Sequence, residues 1–441
     1  MNSTISPIDA AHRFLASLKQ PARLVIAVSG GSDSTGLLLA LKQAAPFNPH
    51  IALLAATIDH RLRRESADES RKVAALCAEL GIPHYARAWE GDKPETGISA
   101  ASRDARYRLL LEIADEVRAD AIATAHTLDD QQETIAMRAI RSRSMESPGL
   151  AGMAPAVLLD RRVWLFRPLI SCRRADIRAY LHAQGQGWID DPSNDNPAYE
   201  RVRTRLALAV GQEARHLADW QAVAERRRSL SNAAGELLKR HATVHHAVLA
   251  ALSPDALDAE REVLRHALST IIAVLGGRPH VPGSDRMDRV MDFLASGEPG
   301  RMTAGRVLVD RRRTGLYLLR ESRDILPLRL ESGGRGIFDG RFAVFLDPGA
   351  GPGIVASGSV RKSEVPPGYG DVPSAIARSA NRLLPQITDL ESGADLAGAA
   401  TIVPALAPYD RFLPIFDLAL ADCIAALFGR QPFVPLPLQL H

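Results

Sequence analysis

Lysine is scarce in this chain: 6 lysines stand against 48 arginines among 441 residues. An arginine bias spread over the whole chain follows from a GC-rich coding sequence, so only local arginine clusters carry a functional argument. Where such clusters occur, the guanidinium is the better bidentate partner for phosphate. Cysteine is scarcer still. Cys77, Cys172 and Cys423 are odd in number and far apart, which argues against a disulfide framework and against a Cys-x-x-Cys metal or redox site. No apolar run approaches the ~20 residues of a membrane helix, and the best C-terminal candidate is broken by Pro414, Asp417 and Asp422. The N-terminus lacks the basic, apolar, small-residue order of a secretory leader. A cytoplasmic protein with no membrane partner is expected. The net charge of +3 is no argument for nucleic acid by itself.

Against these absences stands Ala27-Val28-Ser29-Gly30-Gly31-Ser32-Asp33-Ser34-Thr35-Gly36, set between an apolar run, Leu24 to Val28, and a helix-like run from Leu37. Small residues there let backbone N–H groups turn inward at a helix N-terminus, where the dipole favours phosphate oxygens. Ser29, Gly30, Gly31, Ser32, Asp33 and Ser34 are therefore the candidate nucleotide-binding residues. The lysine of the common phosphate loop, GxxxxGKS or GxxxxGKT, is missing, so this is a phosphate loop of another kind.

The first half of the chain alternates strand-like and helix-like segments, as a doubly wound, mostly parallel α/β sheet does. Strands are expected near Leu24–Val28, Ile51–Ile58, His84–Trp89, Ala121–Ala125 and Val163–Phe166. Helices are expected at Thr35–Gln43, Ser66–Leu80, Ser99–Val117, Leu128–Arg141 and Arg174–Gln184. In such sheets ligands bind beyond the strand carboxyl ends, which here carry Ser29, Asp59-His60 and His126. From His216 to Gly276 the pattern reads as a helical spacer, and Val307–Val309 with Leu316–Leu319 as a hairpin. A smaller mixed α+β region with an Asp339-Gly340 turn follows from Ile325. The expected domains are residues 1–215 for catalysis, 216–324 for the spacer and a central domain, and 325–441 for a C-terminal domain.

A second constellation is His126-Thr127-Leu128-Asp129-Asp130-Gln131-Gln132-Glu133-Thr134. If the helix starts at the strand end, His126, Asp130 and Glu133 lie at i, i+4 and i+7 on one face. An imidazole and two carboxylates so placed can hold Mg²⁺, take a proton from an amine, or grip an ammonium group. Arg106 would reach the same crevice. Arg201, Arg203 and Arg205 alternate in a short basic segment that could follow an RNA backbone, as could Arg311-Arg312-Arg313. Trp164 and Trp188 are read as core rather than as base-stacking platforms.

SGGSDS, then Asp59-His60-Arg61-Leu62-Arg63, Arg103-x-x-Arg106-Tyr107, HxxDDQxET, Arg167-Pro168-Leu169, Trp188-Ile189-Asp190-Asp191-Pro192-Ser193-Asn194 and Arg201-Val202-Arg203-Thr204-Arg205 follow one another in order. The ordered set resembles the tRNA(Ile)-lysidine synthetases of the ATP pyrophosphatase (PP-loop) superfamily, over about residues 20 to 206. Departures are Arg61 for a glycine, Thr127 for a second histidine, Val202 for an asparagine, and RSRSMES at 141–147 for a shorter turn. The resemblance implies a PP-loop, adenine nucleotide α-hydrolase-like fold with two C-terminal tRNA-binding domains. It implies ATP and Mg²⁺ as cofactors, with free L-lysine and tRNA(Ile) bearing a CAU anticodon as partners. Asp33, Arg106, His126, Asp130 and Glu133 would be catalytic, with Asp33 also on Mg²⁺, and Arg201, Arg203 and Arg205 on tRNA. A homodimer is compatible with it. The rival readings are a tRNA 2-thiolating relative, disfavoured by the missing cysteine pair, and a catalytically silent tRNA-binding protein, disfavoured by intact Asp33 and Glu133.

Overall fold

The computed structural model describes residues 5–62, 65–141, 148–190, 200–209, 220–358 and 367–439. The chain forms two units, Met1–Arg227 with Val434–His441, and Arg228–Phe433.

In the first unit the elements are α1 (Pro7–Ser17), β1 (Ala22–Ala27), α2 (Ser32–Ala44), β2 (Ile51–Asp59), α3 (Ser66–Glu79), β3 (His84–Ala88), α4 (Ile98–Glu116), β4 (Ala121–Ala123), α5 (Leu128–Arg141), β5 (Ala156–Leu159), β6 (Val163–Phe166), α6 (Arg174–Ala183) and α7 (Glu200–Ala209). Six strands of this unit pair in the order β5-β6-β4-β1-β2-β3. All neighbours are parallel except β5 and β6. Ile26 on the central strand β1 registers with Ala55 and Ala123. Leu24, Val25, Ile26 and Ile122 are fully buried, which is why these strands read as continuous apolar runs rather than alternating ones. From β1 the chain builds outward through β2 and β3, then returns to the other side of β1 at β4. That switch opens a crevice beyond the ends of β1 and β4, the general ligand position of open α/β sheets.

One close approach sets the crevice wall. A Cβ on Gly36 of α2 would lie 2.3 Å from Ile177 Cγ2 of α6, so only glycine lets α6 pack on α2 this tightly. The last part of the chain also belongs to this unit. Leu438 bridges Leu18, the Lys19 N–H donates to Pro437 O at 2.9 Å, and Trp164 Nε1 donates to Val434 O at 2.9 Å. Trp164 is core, as expected.

In the second unit the expected helical spacer is interrupted. After α8 (Trp220–His241), β7 (Ala242–His245) and β8 (Leu249–Leu252) form a hairpin before α9 (Arg261–Leu275) and α10 (Ser284–Ala295). The hairpin finds its place because β8 pairs with β11 (Gly315–Arg320), beside β10 (Val307–Arg312) and β9 (Gly300–Ala304), in a sheet ordered β7-β8-β11-β10-β9. Arg312 donates two 3.1 Å bonds to Asp310, and Arg311 donates to Leu294 O; both are engaged in the fold.

Next come β12 (Leu328–Leu330), β13 (Arg335–Phe338), β14 (Phe342–Leu346), β15 (Gly353–Ser357), α11 (Ser374–Asn381), β16 (Pro385–Asp389), β17 (Ala400–Pro404) and α12 (Leu418–Leu427), with small sheets β12-β15-β16 and β13-β14-β17. The Asp339-Gly340 signal marks the β13–β14 connection, with Asp339 at φ 51°. The Asp339 carboxylate receives Arg320 Nε at 3.0 Å and Arg341 Nε at 2.7 Å, and also pairs with Arg306.

Candidate functional site

The loop after β1 is tied to itself so that its amides stay oriented. Ser29 N–H donates to Ser34 Oγ at 3.1 Å, Ser34 Oγ–H to Gly31 O at 3.1 Å, and Thr35 Oγ1–H to Gly30 O at 3.2 Å. Gly30 adopts φ 87°, and a Cβ there would lie 2.6 Å from Ile189 Cδ1, so the residue is held to glycine by conformation and by contact. No side chain caps the N-terminus of α2, which leaves its first N–H groups open to an anion.

Helix α5 departs from the expected face. It begins at Leu128, as expected, but Thr127 is its N-cap, so His126 is not part of it. Asp130 N–H donates to Thr127 Oγ1 at 3.3 Å, and Thr127 N–H donates back to Asp130 Oδ2 at 2.8 Å, a reciprocal capping arrangement. Thr127, fully buried, stands where the resemblance expects histidine. His126 therefore lies before the helix, at the end of β4, with Nδ1 3.0 Å from Thr124 Oγ1. Burial first, then Arg167, Arg103, Arg201 and Arg106, hold its imidazole well below the usual range.

Sequence reasoning missed the hub of the site, Arg174, the first residue of α6. Its Nε donates to Asp33 Oδ2 at 2.9 Å and its Nη2 to Asp130 Oδ1 at 3.2 Å, while Nη1 lies 4.0 Å from Glu133 Oε1. The Arg174 N–H donates to Asp129 Oδ2 at 2.8 Å. The available signal was an arginine seven residues after Arg167 at a helix start. Although burial opposes its charge, Asp33 and Asp130 raise the Arg174 pKa. The Asp33 carboxyl is itself raised, by burial and by Asp130, against the lowering effect of Arg174.

Glu133 is almost fully buried at 2% side-chain exposure. Oε1 accepts from Arg205 Nε at 2.9 Å, and Arg201 Nε lies 3.9 Å from Oε2. Oε2 is buried with no hydrogen-bond partner. Burial raises the Glu133 pKa, partly offset by the Arg205 hydrogen bond. On α7, Arg201 and Arg205 thus turn toward the carboxylates, whereas Arg203 is exposed and Val202 is buried. Arg106, on α4, makes no hydrogen bond or ion pair among the described residues, and burial of its guanidinium lowers its pKa.

At the end of β2, burial and then Arg106 push the His60 pKa down to about 4. Arg61 adopts φ 50°, the backbone region that explains the glycine expected there. Its N–H donates to Asp59 Oδ1 at 2.8 Å. Trp188 is only half-buried, with Nε1 donating to Asp190 Oδ1 at 2.9 Å and Arg178 over its ring, so it is not core. The substituted turn at 142–147 and Asp191-Pro192-Ser193-Asn194 lie outside the described residues.

The arrangement is a glycine- and serine-rich loop at a helix start, beside a cluster of partly buried carboxylates. The PP-loop domain model matches residues 6–211. The tRNA(Ile)-lysidine synthase of Rhizobium meliloti (strain 1021) is 44% identical over 98% of this chain and 96% of its own length. The chain belongs to the tRNA(Ile)-lysidine synthase family. The tRNA(Ile)-lysidine synthases of Mesorhizobium japonicum and Brucella melitensis biotype 2 are 38% and 36% identical, over 98% and 97% of this chain and 98% of their own lengths. In this family member the phosphate loop and the acidic helix come from neighbouring strand ends, β1 and β4.

Proposed function

We propose that the chain joins free L-lysine to carbon 2 of the wobble cytidine of isoleucine tRNA with a CAU anticodon, at the expense of ATP, through an adenylated cytidine. The observation that carries this reading is Glu133: a buried carboxylate with one oxygen that accepts no hydrogen bond, beside a phosphate loop. Arg205 and Arg201 offset its charge in part, and an alkylammonium would supply the missing donor. Family membership supports the same conclusion.

In the first step oxygen 2 of cytosine attacks the α-phosphate and pyrophosphate leaves. Amides and hydroxyls of Ser29 to Ser34 cradle the phosphates, and Arg106 offsets charge developing on the transferred group. In the second step the lysine ε-amine attacks carbon 2, and the bond from carbon 2 to the bridging oxygen breaks to release AMP. Asp130 and Glu133 seat the ammonium, and Glu133, with its raised pKa, takes the proton that frees the amine. Arg174 keeps Asp33, Asp130 and Glu133 from repelling one another before substrates arrive.

Among the described residues no three His, Cys, Asp or Glu side chains form a metal cage. That suits Mg²⁺, which is commonly held by one or two carboxylates together with substrate phosphates. Asp33, with Asp130 beside it, would hold the ion, which would add charge neutralisation over the phosphates. Residues 216–324 and 325–441 would hold the tRNA body, Arg203 adding a backbone contact. Sulfur transfer is disfavoured: burial pushes the Cys77 thiol up to about 11 and the Cys172 thiol up to about 12, far from a reactive thiolate.

The test is pyrophosphate release with ATP, lysine and tRNA, each omitted in turn, followed by nucleoside mass spectrometry. Lysine-bearing cytidine is expected, and Glu133→Gln should lower its formation about 10²-fold while changing ATP affinity little. A sulfur-bearing nucleoside, or indifference to lysine, would overturn the reading.

A further inference from the structure

His126 is left without a role by the steps above, and its hydrogen bonding is unusually informative. The Thr124 hydroxyl lies 3.0 Å from His126 Nδ1 and 3.3 Å from Phe166 O. A hydroxyl has one hydrogen; given to that carbonyl, it leaves its oxygen to accept from Nδ1–H. Both contacts are hydrogen bonds together only in the tautomer with the proton on Nδ1, which leaves Nε2 an acceptor. Nε2 has no hydrogen-bond partner among the described residues.

The surroundings limit what that lone pair can do. Arg167, Arg103, Arg201 and Arg106 act on the ring together, and Arg167 Nε is itself buried without a hydrogen-bond partner. Burial first, and then the charge of the four guanidiniums, disfavour a proton at Nε2, which makes the ring a poor base. It is also no donor at that nitrogen. It remains an acceptor for a neutral N–H, within a field suited to a polyanionic strand. Cytosine offers such an N–H at its exocyclic amine, whereas uracil offers an acceptor oxygen at the same position. Lone pair against lone pair leaves both groups unsatisfied, the arrangement by which enzymes discriminate most strongly.

We propose that His126 Nε2 accepts a hydrogen bond from the exocyclic amine of the target cytosine and so selects cytidine over uridine. This rests on the reaction proposed above. The test is a cycle on the full-length protein with two tRNA(Ile) transcripts, one bearing cytidine and one bearing pyrimidin-2-one ribonucleoside at the wobble position. The second keeps oxygen 2 and lacks the amine. With cytidine, His126→Ala should lower kcat/KM for pyrophosphate release about 10- to 100-fold. Loss of the amine should then cost the variant at least about tenfold less than it costs the wild type. His126→Gln, which can accept or donate, should recover much of the activity on cytidine and narrow the preference over a uridine transcript.

Equal losses on amine removal in wild type and His126→Ala would overturn the inference. So would a rise in KM for ATP with no coupling to the RNA base, which would place the lone pair against the adenine amine. If the wild type forms no lysine-bearing cytidine at all, the failure lies with the reaction and is seen before the cycle begins.

Discussion

Two ionic hubs of different composition sit in the two units. In the first, Arg174 bridges three carboxylates, Asp33, Asp130 and Glu133, and Arg205 and Arg201 add to Glu133. In the second, one carboxylate, Asp339, serves three arginines, Arg306, Arg320 and Arg341. The first is loose. Arg174 and Asp33 keep 19% and 21% side-chain exposure, the third contact is 4.0 Å long, and one Glu133 oxygen accepts no hydrogen bond. The second is tighter at its centre, with Arg320, Arg341 and Asp339 at 1–2%, although Arg306 keeps 24% and Arg341 Nη1 has no hydrogen-bond partner. A buried ion pair is weak evidence of stability on its own, but removing one partner leaves a charge stranded. The two hubs differ most at their centres, Arg174 keeping 19% side-chain exposure and Asp339 only 1%.

The same substitution in both hubs breaks or sharpens the contrast. Asp339→Asn should cost about 3–5 kcal/mol in chemical denaturation, because three guanidiniums lose their shared anion. Stability close to that of the wild type would end the distinction. Asp33→Asn should instead lower pyrophosphate release about 10²- to 10³-fold, with stability at pH 7 unchanged or higher. The sign follows from the raised Asp33 pKa, caused by burial and then opposed by Arg174. A carboxyl held above its unfolded value makes ionisation a cost to the fold, relieved as the pH falls through the folded pKa. Denaturation series should thus show any advantage of Asp33→Asn shrinking on acidification. An advantage that grows would contradict the assigned cause. The smallest expected effect tests the rim of the crevice. Arg61→Gly relieves a left-handed backbone but frees the unfolded chain and removes an exposed pair with Glu90, so the net change should stay within about 1 kcal/mol.

What could be read in the sequence was what is local. The phosphate loop and the HxxDDQxET run each declare themselves within ten residues, and the α/β alternation follows from apolar runs of strand length. Arg174 was not legible because it is 141 residues from Asp33 in the chain and arrives only through the packing of Ile177 on Gly36. The misplaced His126 face has a cause at one residue: Thr127 caps the helix, so the residue before it stands off the helical face. The β7–β8 hairpin escaped notice for a tertiary reason, since its short apolar strand is stabilised by β11, more than sixty residues on. Asp339 was legible as a turn, but not as a buried anion that receives Arg306 and Arg320 from other segments as well as Arg341 from its own turn.

The return of residues 434–439 to the first unit has a consequence for the order of events during synthesis. Domains commonly fold as they leave the ribosome, N-terminal first. Here the sheet and phosphate loop emerge early, yet the backbone groups at Leu18 and Lys19 and the Trp164 indole await partners made last. The unit translated first is the last to be finished, and a nascent chain arrested anywhere before residue 434 carries a nucleotide-binding fold with its seam still open.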